Sequence, residues 1–154
     1  MAVRSFALTV GIVYTIVGIL GFIPSLVEPA TSAPHLLAEV DQGGLAGYGY
    51  LFGLFPINTY HNTVHLIVGA SGVVAYLTEG SSRIFAGTLA VFYGLLGVMG
   101  LIPNLNTTLG LIPLYGNDVW LHLGTAAISA YFGFAKGWRS VPPQANEEYG
   151  APSN

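Results

Sequence analysis

The chain alternates between long apolar runs and short polar breaks. Four runs stand out, at residues 6–23, 58–77, 84–102 and 117–134; the first and third carry no charged residue, and the fourth carries only Asp118. Each is close to the ~20 residues that an α-helix needs to cross the roughly 30 Å hydrocarbon core of a bilayer. Pro24 closes the first run and Pro103 the third, since proline lacks a backbone donor and its ring clashes with the preceding turn. The break at 28–50 is rich in turn formers (Pro29, Pro34, Gly43, Gly44, Gly47, Gly49), with a short helical turn expected at 35–40. Residues 79–83, Glu-Gly-Ser-Ser-Arg, read as a tight polar connection, and an Asn/Thr loop follows Pro103. These boundaries predict a four-helix transmembrane domain over 1–139 and a disordered polar tail over 140–154, where Pro142, Pro143, Glu147 and Glu148 lie. The first run could pass for a signal peptide. It exceeds the usual apolar core of roughly 7–15 residues, and later runs are as apolar, so it reads as a retained helix.

Composition strengthens the membrane reading. Apolar residues make up 53% of the 154, charged residues only 7%, and mean hydropathy is +0.64. A soluble domain carries roughly 25% charged residues to wet its surface, so this exterior is expected to face lipid. A net charge of −3 gives no reason to expect a nucleic-acid partner. There is no cysteine, which excludes disulfides, thiolate metal sites and a cysteine nucleophile. Arg4, Arg83, Lys136 and Arg139 are all the basic residues. With four spans they fall on one side, and the positive-inside rule then makes both termini cytoplasmic.

A repeat runs through the pattern. Residues 53–65 read Gly-Leu-Phe-Pro-Ile-Asn-Thr-Tyr-His-Asn-Thr-Val-His, and residues 110–122 read Gly-Leu-Ile-Pro-Leu-Tyr-Gly-Asn-Asp-Val-Trp-Leu-His. Without a gap, Gly53 matches Gly110, Leu54 matches Leu111, Pro56 matches Pro113 and His65 matches His122, while His61 stands opposite Asp118. The first and third runs match as well: Pro24 with Pro103, Tyr14 with Tyr93, Gly18 with Gly97 and Gly21 with Gly100. Ala7, Gly11 and Thr15 align with Ala86, Ala90 and Gly94, each trio a stripe at four-residue spacing suited to close helix packing in lipid. The expected fold class is therefore an all-α membrane protein: four transmembrane helices forming two tandem hairpins related by a pseudo-two-fold axis.

The candidate chemistry sits where the repeat delivers its histidines. His61 and His65 share one helix face, as do Asp118 and His122. If those faces converge, three imidazoles and a carboxylate suit a divalent metal. His65 and His122 alone could ligate a haem or a chlorophyll, or relay protons. The simplest reading is structural: interhelical hydrogen bonds, with Asn58 and Asn117 as N-caps and Asp118 favoured at a helix N-terminus. Nucleophile-elbow and phosphate-loop motifs are absent, and no span holds paired carboxylates. The expected function is a non-enzymatic accessory or structural subunit of a membrane complex, or a homo-oligomer. One alternative is a metal-, haem- or chlorophyll-binding subunit; another is a small channel or carrier, for which only the histidine end offers polar groups.

Gly21-Phe22-Ile23-Pro24, then Gly53-Leu54-Phe55 followed by Asn58, His61-Asn62 and His65, resembles a family of small bacterial membrane proteins, domain of unknown function 4383. Residues 110–113 and 117–124 resemble its second half, and the likeness extends over roughly residues 5–137. His61, His65 and His122 match the motif, and the loop around His35 lies outside it. The resemblance implies a four-helix integral membrane protein with no assigned activity.

Overall fold

The computed structural model describes residues 1–30 and 48–135. The turn expected at 35–40, His35, Lys136, Arg139 and the tail at 140–154 lie outside the described residues.

The fold is mostly helical. Helix α1 spans Ala2–Leu20, α2 Thr59–Ala75, α3 Glu79–Gly100 and α4 Asn117–Ala130, the last running into a π-helical turn at Tyr131–Ala135. Two of them, α1 and α3, are long and apolar enough to cross a membrane. Residues 79–83, expected as a connection, form the first turn of α3. Thr78 accepts a hydrogen bond from the Ser81 amide at 3.1 Å, and Glu79 occupies the first turn; both suit a helix N-terminus.

A small sheet amends the all-α expectation. Strands β1 (Val27–Pro29), β2 (Gly49–Leu51) and β3 (Phe55–Ile57) pair antiparallel in that order, with Val27 opposite Leu51 and Tyr50 opposite Pro56. Strands of three residues are too short to write an alternating pattern into the sequence. The sheet lies beside the start of α2, and the Tyr48 and Tyr115 hydroxyls hydrogen-bond to each other there. Burial pushes the Tyr115 phenol up to about 12, and either hydroxyl can donate to the other.

Helices pack in sequence-adjacent pairs, α1 along α2 and α3 along α4, with α1 also against α3. The stripe foreseen on α1 is used as expected. A Cβ on Gly11 would lie 2.6 Å from the Val73 amide nitrogen and 2.9 Å from the Gly69 carbonyl. Gly72 would meet the Ala7 carbonyl at 2.8 Å. The two backbones thus touch directly, and the partner glycines Gly69 and Gly72 complete the contact. In the second pair Ala86 is fully buried, and a Cβ on Gly133 would lie 2.6 Å from the Gly87 nitrogen. Leu89, Tyr93 and Ala126 form the buried centre, with Val10, Tyr14, Val68 and Phe85 against it.

The surface is inverted relative to a water-soluble protein. Ile16 on α1, Ile67 on α2, Val91 on α3 and Trp120 on α4 are 49–67% exposed. His61, Asn62, His65, Ser82, Asp118, His122 and Ser129 are buried.

Replacing Gly11 with Leu should force α1 from α2, because backbone atoms cannot yield as a flexible side chain can. We expect a loss of about 3 kcal/mol, the upper part of the overpacking range, read as a fall in thermal midpoint in detergent. Gly124→Ala is the contrast. Nothing lies within 4 Å of a Cβ there, so the change should be neutral or stabilise by about 0.5 kcal/mol.

Candidate functional site

The repeat positions its polar residues through two glycine turns. Gly53 has φ +69° and Gly110 φ +86°, a region open to glycine and costly for other residues. Each turn swings the chain back toward the bundle before a helix begins. Asn58 then caps α2, accepting from the His61 amide at 2.9 Å. This places His61 in the first turn and His65 one turn deeper. In the second copy the cap position falls to Gly116, at φ +65° with no side-chain cap. Asn117, expected as the cap, is instead the first helical residue and donates to the Leu54 carbonyl at 3.2 Å. Asn58 donates reciprocally to the Leu111 carbonyl at 2.7 Å. Leu54 and Leu111 are the matched leucines of the repeat, so each copy's asparagine holds the other copy's turn.

His61, Asp118 and His122 come together at this end. One donor atom from each lies within 4.8 Å of the others, and all three residues are at least 96% buried. His61 Nδ1 is 3.1 Å from the Pro56 carbonyl. A carbonyl only accepts, so Nδ1 carries the hydrogen and Nε2 of the neutral ring is a lone-pair acceptor. That Nε2 points toward Asp118 Oδ2 at 3.9 Å. His122 Nδ1 faces the Asp118 main-chain carbonyl at 2.8 Å and Oδ2 at 3.1 Å. The shorter contact takes the Nδ1 hydrogen, which leaves Oδ2 without a hydrogen-bond partner, like His61 Nε2 and His65 Nδ1.

His65 is buried beside this group and not within it. Its ring meets His61 edge-on at 4.5 Å between centroids and Tyr14 at 5.1 Å. His122 lies over Tyr93 at 4.9 Å, and Tyr14 meets Tyr93 edge-on at 5.4 Å. The Tyr14 hydroxyl reaches Thr125 Oγ1 at 3.1 Å, tying α1 to α4. The four sequence candidates therefore share one end of the bundle, with Tyr14 and Tyr93 between their lower members. A cavity of about 80 Å³ is lined by His61, His65, Tyr93 and His122 together with Thr108 and Leu114. It has room for a few waters or an ion. A haem or chlorophyll macrocycle needs a pocket of several hundred Å³, so the surroundings of His65 and His122 do not fit one as they stand. Sequence reading missed the Pro56 carbonyl, a main-chain group whose only trace was the match of Pro56 with Pro113.

The family model described as Domain of unknown function (DUF4383) matches residues 4–135. The chain belongs to this family. No curated protein and no solved structure matches it. The DUF4383 match spans both copies of the repeat and, but for the first two residues of α1, all four helices, so the paired histidines and their supporting turns lie wholly inside it.

The double role of Asn58 is testable. Asn58→Ala removes both the helix cap and the bond to Leu111, and should cost about 1–2 kcal/mol. Thermal unfolding in detergent reads this loss, and a midpoint equal to wild type would show that the cap does not hold the His61 turn.

Proposed function

We propose that the protein is a multi-pass integral membrane protein with four spans, both termini cytoplasmic, serving as a non-enzymatic subunit of a membrane complex or homo-oligomer. The inverted surface is the observation that carries this reading. All four helices, including α2 and α4, expose large apolar side chains while polar groups are buried. In lipid that distribution is favourable, since polar groups in hydrocarbon must find partners within the bundle. Tyr60 and Trp120 are exposed near the histidine end, where an interfacial aromatic belt is expected. Arg4 donates to the Tyr76 carbonyl at 2.8 Å, and Arg83 lies 3.5 Å from Glu79. Both basic groups thus occupy the end opposite the histidines, in keeping with a cytoplasmic face there.

The pseudo-two-fold arrangement draws support from matched contacts. Tyr14 meets its repeat partner Tyr93, and His65 on Tyr14 mirrors His122 on Tyr93. The matched leucines Leu54 and Leu111 add to this, each accepting from an asparagine of the other copy, Asn117 and Asn58, which stand at different repeat positions. The small-residue stripes and the short stretches between the apolar runs of the sequence favour assembly over catalysis. The channel or carrier alternative draws less support, as the cavity among the buried histidines is about 80 Å³.

Topology can be read directly, because the chain has no cysteine of its own. In intact cells an impermeant maleimide should label Asn104→Cys and spare Ser81→Cys until the membrane is opened. Extraction of the protein by alkaline carbonate would sink the four-span reading, and labelling of Ser81→Cys from outside would overturn the cytoplasmic assignment of the termini. Solubilised gently from its own membrane, the protein should migrate with an assembly larger than one chain. Migration as a lone monomer would remove the subunit reading.

A further inference from the structure

We infer that His61, Asp118 and His122 form a binding site for one divalent transition metal of the zinc class. The argument starts from two acceptors that face each other. The Pro56 carbonyl holds the hydrogen on His61 Nδ1, which leaves the Nε2 lone pair directed at a carboxylate oxygen 3.9 Å away. Both atoms are buried and without a hydrogen-bond partner. Two acceptors in a medium of low polarity repel unless a positive centre lies between them. Arg4 and Arg83, the only Lys or Arg among the described residues, are engaged at the opposite end of the bundle.

Distance separates a metal from a proton. At 3.9 Å the pair is too far apart for an N–H···O bond, which needs roughly 2.7–3.2 Å. An ion held about 2.0–2.2 Å from each atom fits between them once they close by about half an ångström to the tetrahedral separation of about 3.3–3.4 Å. His122 is the third member of the same 4.8 Å group: its Nδ1, 3.1 Å from Asp118 Oδ2, would ligate in the other neutral tautomer, with the ring hydrogen moved to Nε2. Two imidazoles and one carboxylate match the borderline-soft divalent ions and suit neither calcium nor magnesium, which take oxygen ligands. The neighbouring cavity of about 80 Å³ provides room for a water as fourth ligand. The contact of His61 Nδ1 with a main-chain carbonyl is the outer support that orients ligating imidazoles. The repeat contributes the asymmetry: the matched positions hold a histidine in one copy and an aspartate in the other, so a carboxylate faces an imidazole across the bundle. The site does not depend on where the protein resides.

The test uses the untagged full chain in mild detergent, stripped with a chelator and dialysed. Titration with Zn²⁺ should reach one ion per chain, and Co²⁺ should give the intense ligand-field bands of four- or five-coordination. His61→Gln and Asp118→Asn should each weaken Zn²⁺ binding by about 100-fold or more, given that even outer-sphere losses cost 10- to 100-fold. His65→Ala should keep the stoichiometry at one. Thermal unfolding of each variant guards against loss of fold, and wild type decides the matter unaided. Failure of the stripped wild-type chain to take up stoichiometric Zn²⁺ would overturn the site. So would binding that survives Asp118→Asn and is lost in a folded His65→Ala.

Discussion

The direct contact of backbones between α1 and α2 is the constraint on which the rest depends. Gly11, Gly69 and Gly72 bring main-chain atoms together where any side chain would intrude. Apolar side chains gain little by moving from lipid-like surroundings into a bundle, so close packing has to supply much of the attraction. Tight approach in the first pair sets the depth of α2, and with it the level at which His61 and His65 meet the second pair. The second pair reaches a similar end by different means, with Gly133 against Gly87 and Leu123 packed over Gly97.

Above that packing the polar groups sort into two kinds. Asn58, Asn62 and Asn117 each serve a main-chain carbonyl, at Leu111, Gly21 and Leu54 respectively, and close helix ends that water would otherwise solvate. Ser82 does the same for the Ala75 and Thr78 carbonyls. The histidine and aspartate group differs. Hydrogen bonding there satisfies one side of each imidazole and leaves His61 Nε2 and Asp118 Oδ2 facing each other. Buried polar groups are normally paired, so two unpartnered acceptors facing each other at matched repeat positions call for a ligand more than for packing.

Repeat and asymmetry act together. Where the copies agree, matched residues meet or play matched parts: Tyr14 meets Tyr93, and Leu54 and Leu111 each accept from an asparagine of the other copy. Where they disagree, at His61 and Asp118, an imidazole nitrogen and a carboxylate oxygen converge. Two identical residues brought face to face would offer either two bases or two acids. Divergence at one position converts a symmetric junction into a mixed-ligand one.

Much of this was legible in the sequence because apolar runs, proline stops and a gapless repeat are local or linear signals. The helices, the stripe of Ala7, Gly11 and Thr15, the family, and the list of His61, His65, Asp118 and His122 follow from them. Boundaries moved where capping chemistry decided, as Thr78 drew residues 79–83 into α3 and Gly116 displaced Asn117 from the cap. Three-residue strands left no periodic trace. Helix rotation was beyond reach, since runs apolar on every face do not say which side turns inward. Only the tertiary structure decided that His61, Asp118 and His122 share one point while His65 stands beside them against Tyr14. The reason is physical: that choice rests on glycine contacts between helices and on a main-chain carbonyl at Pro56, neither of which is written in side-chain character along the chain.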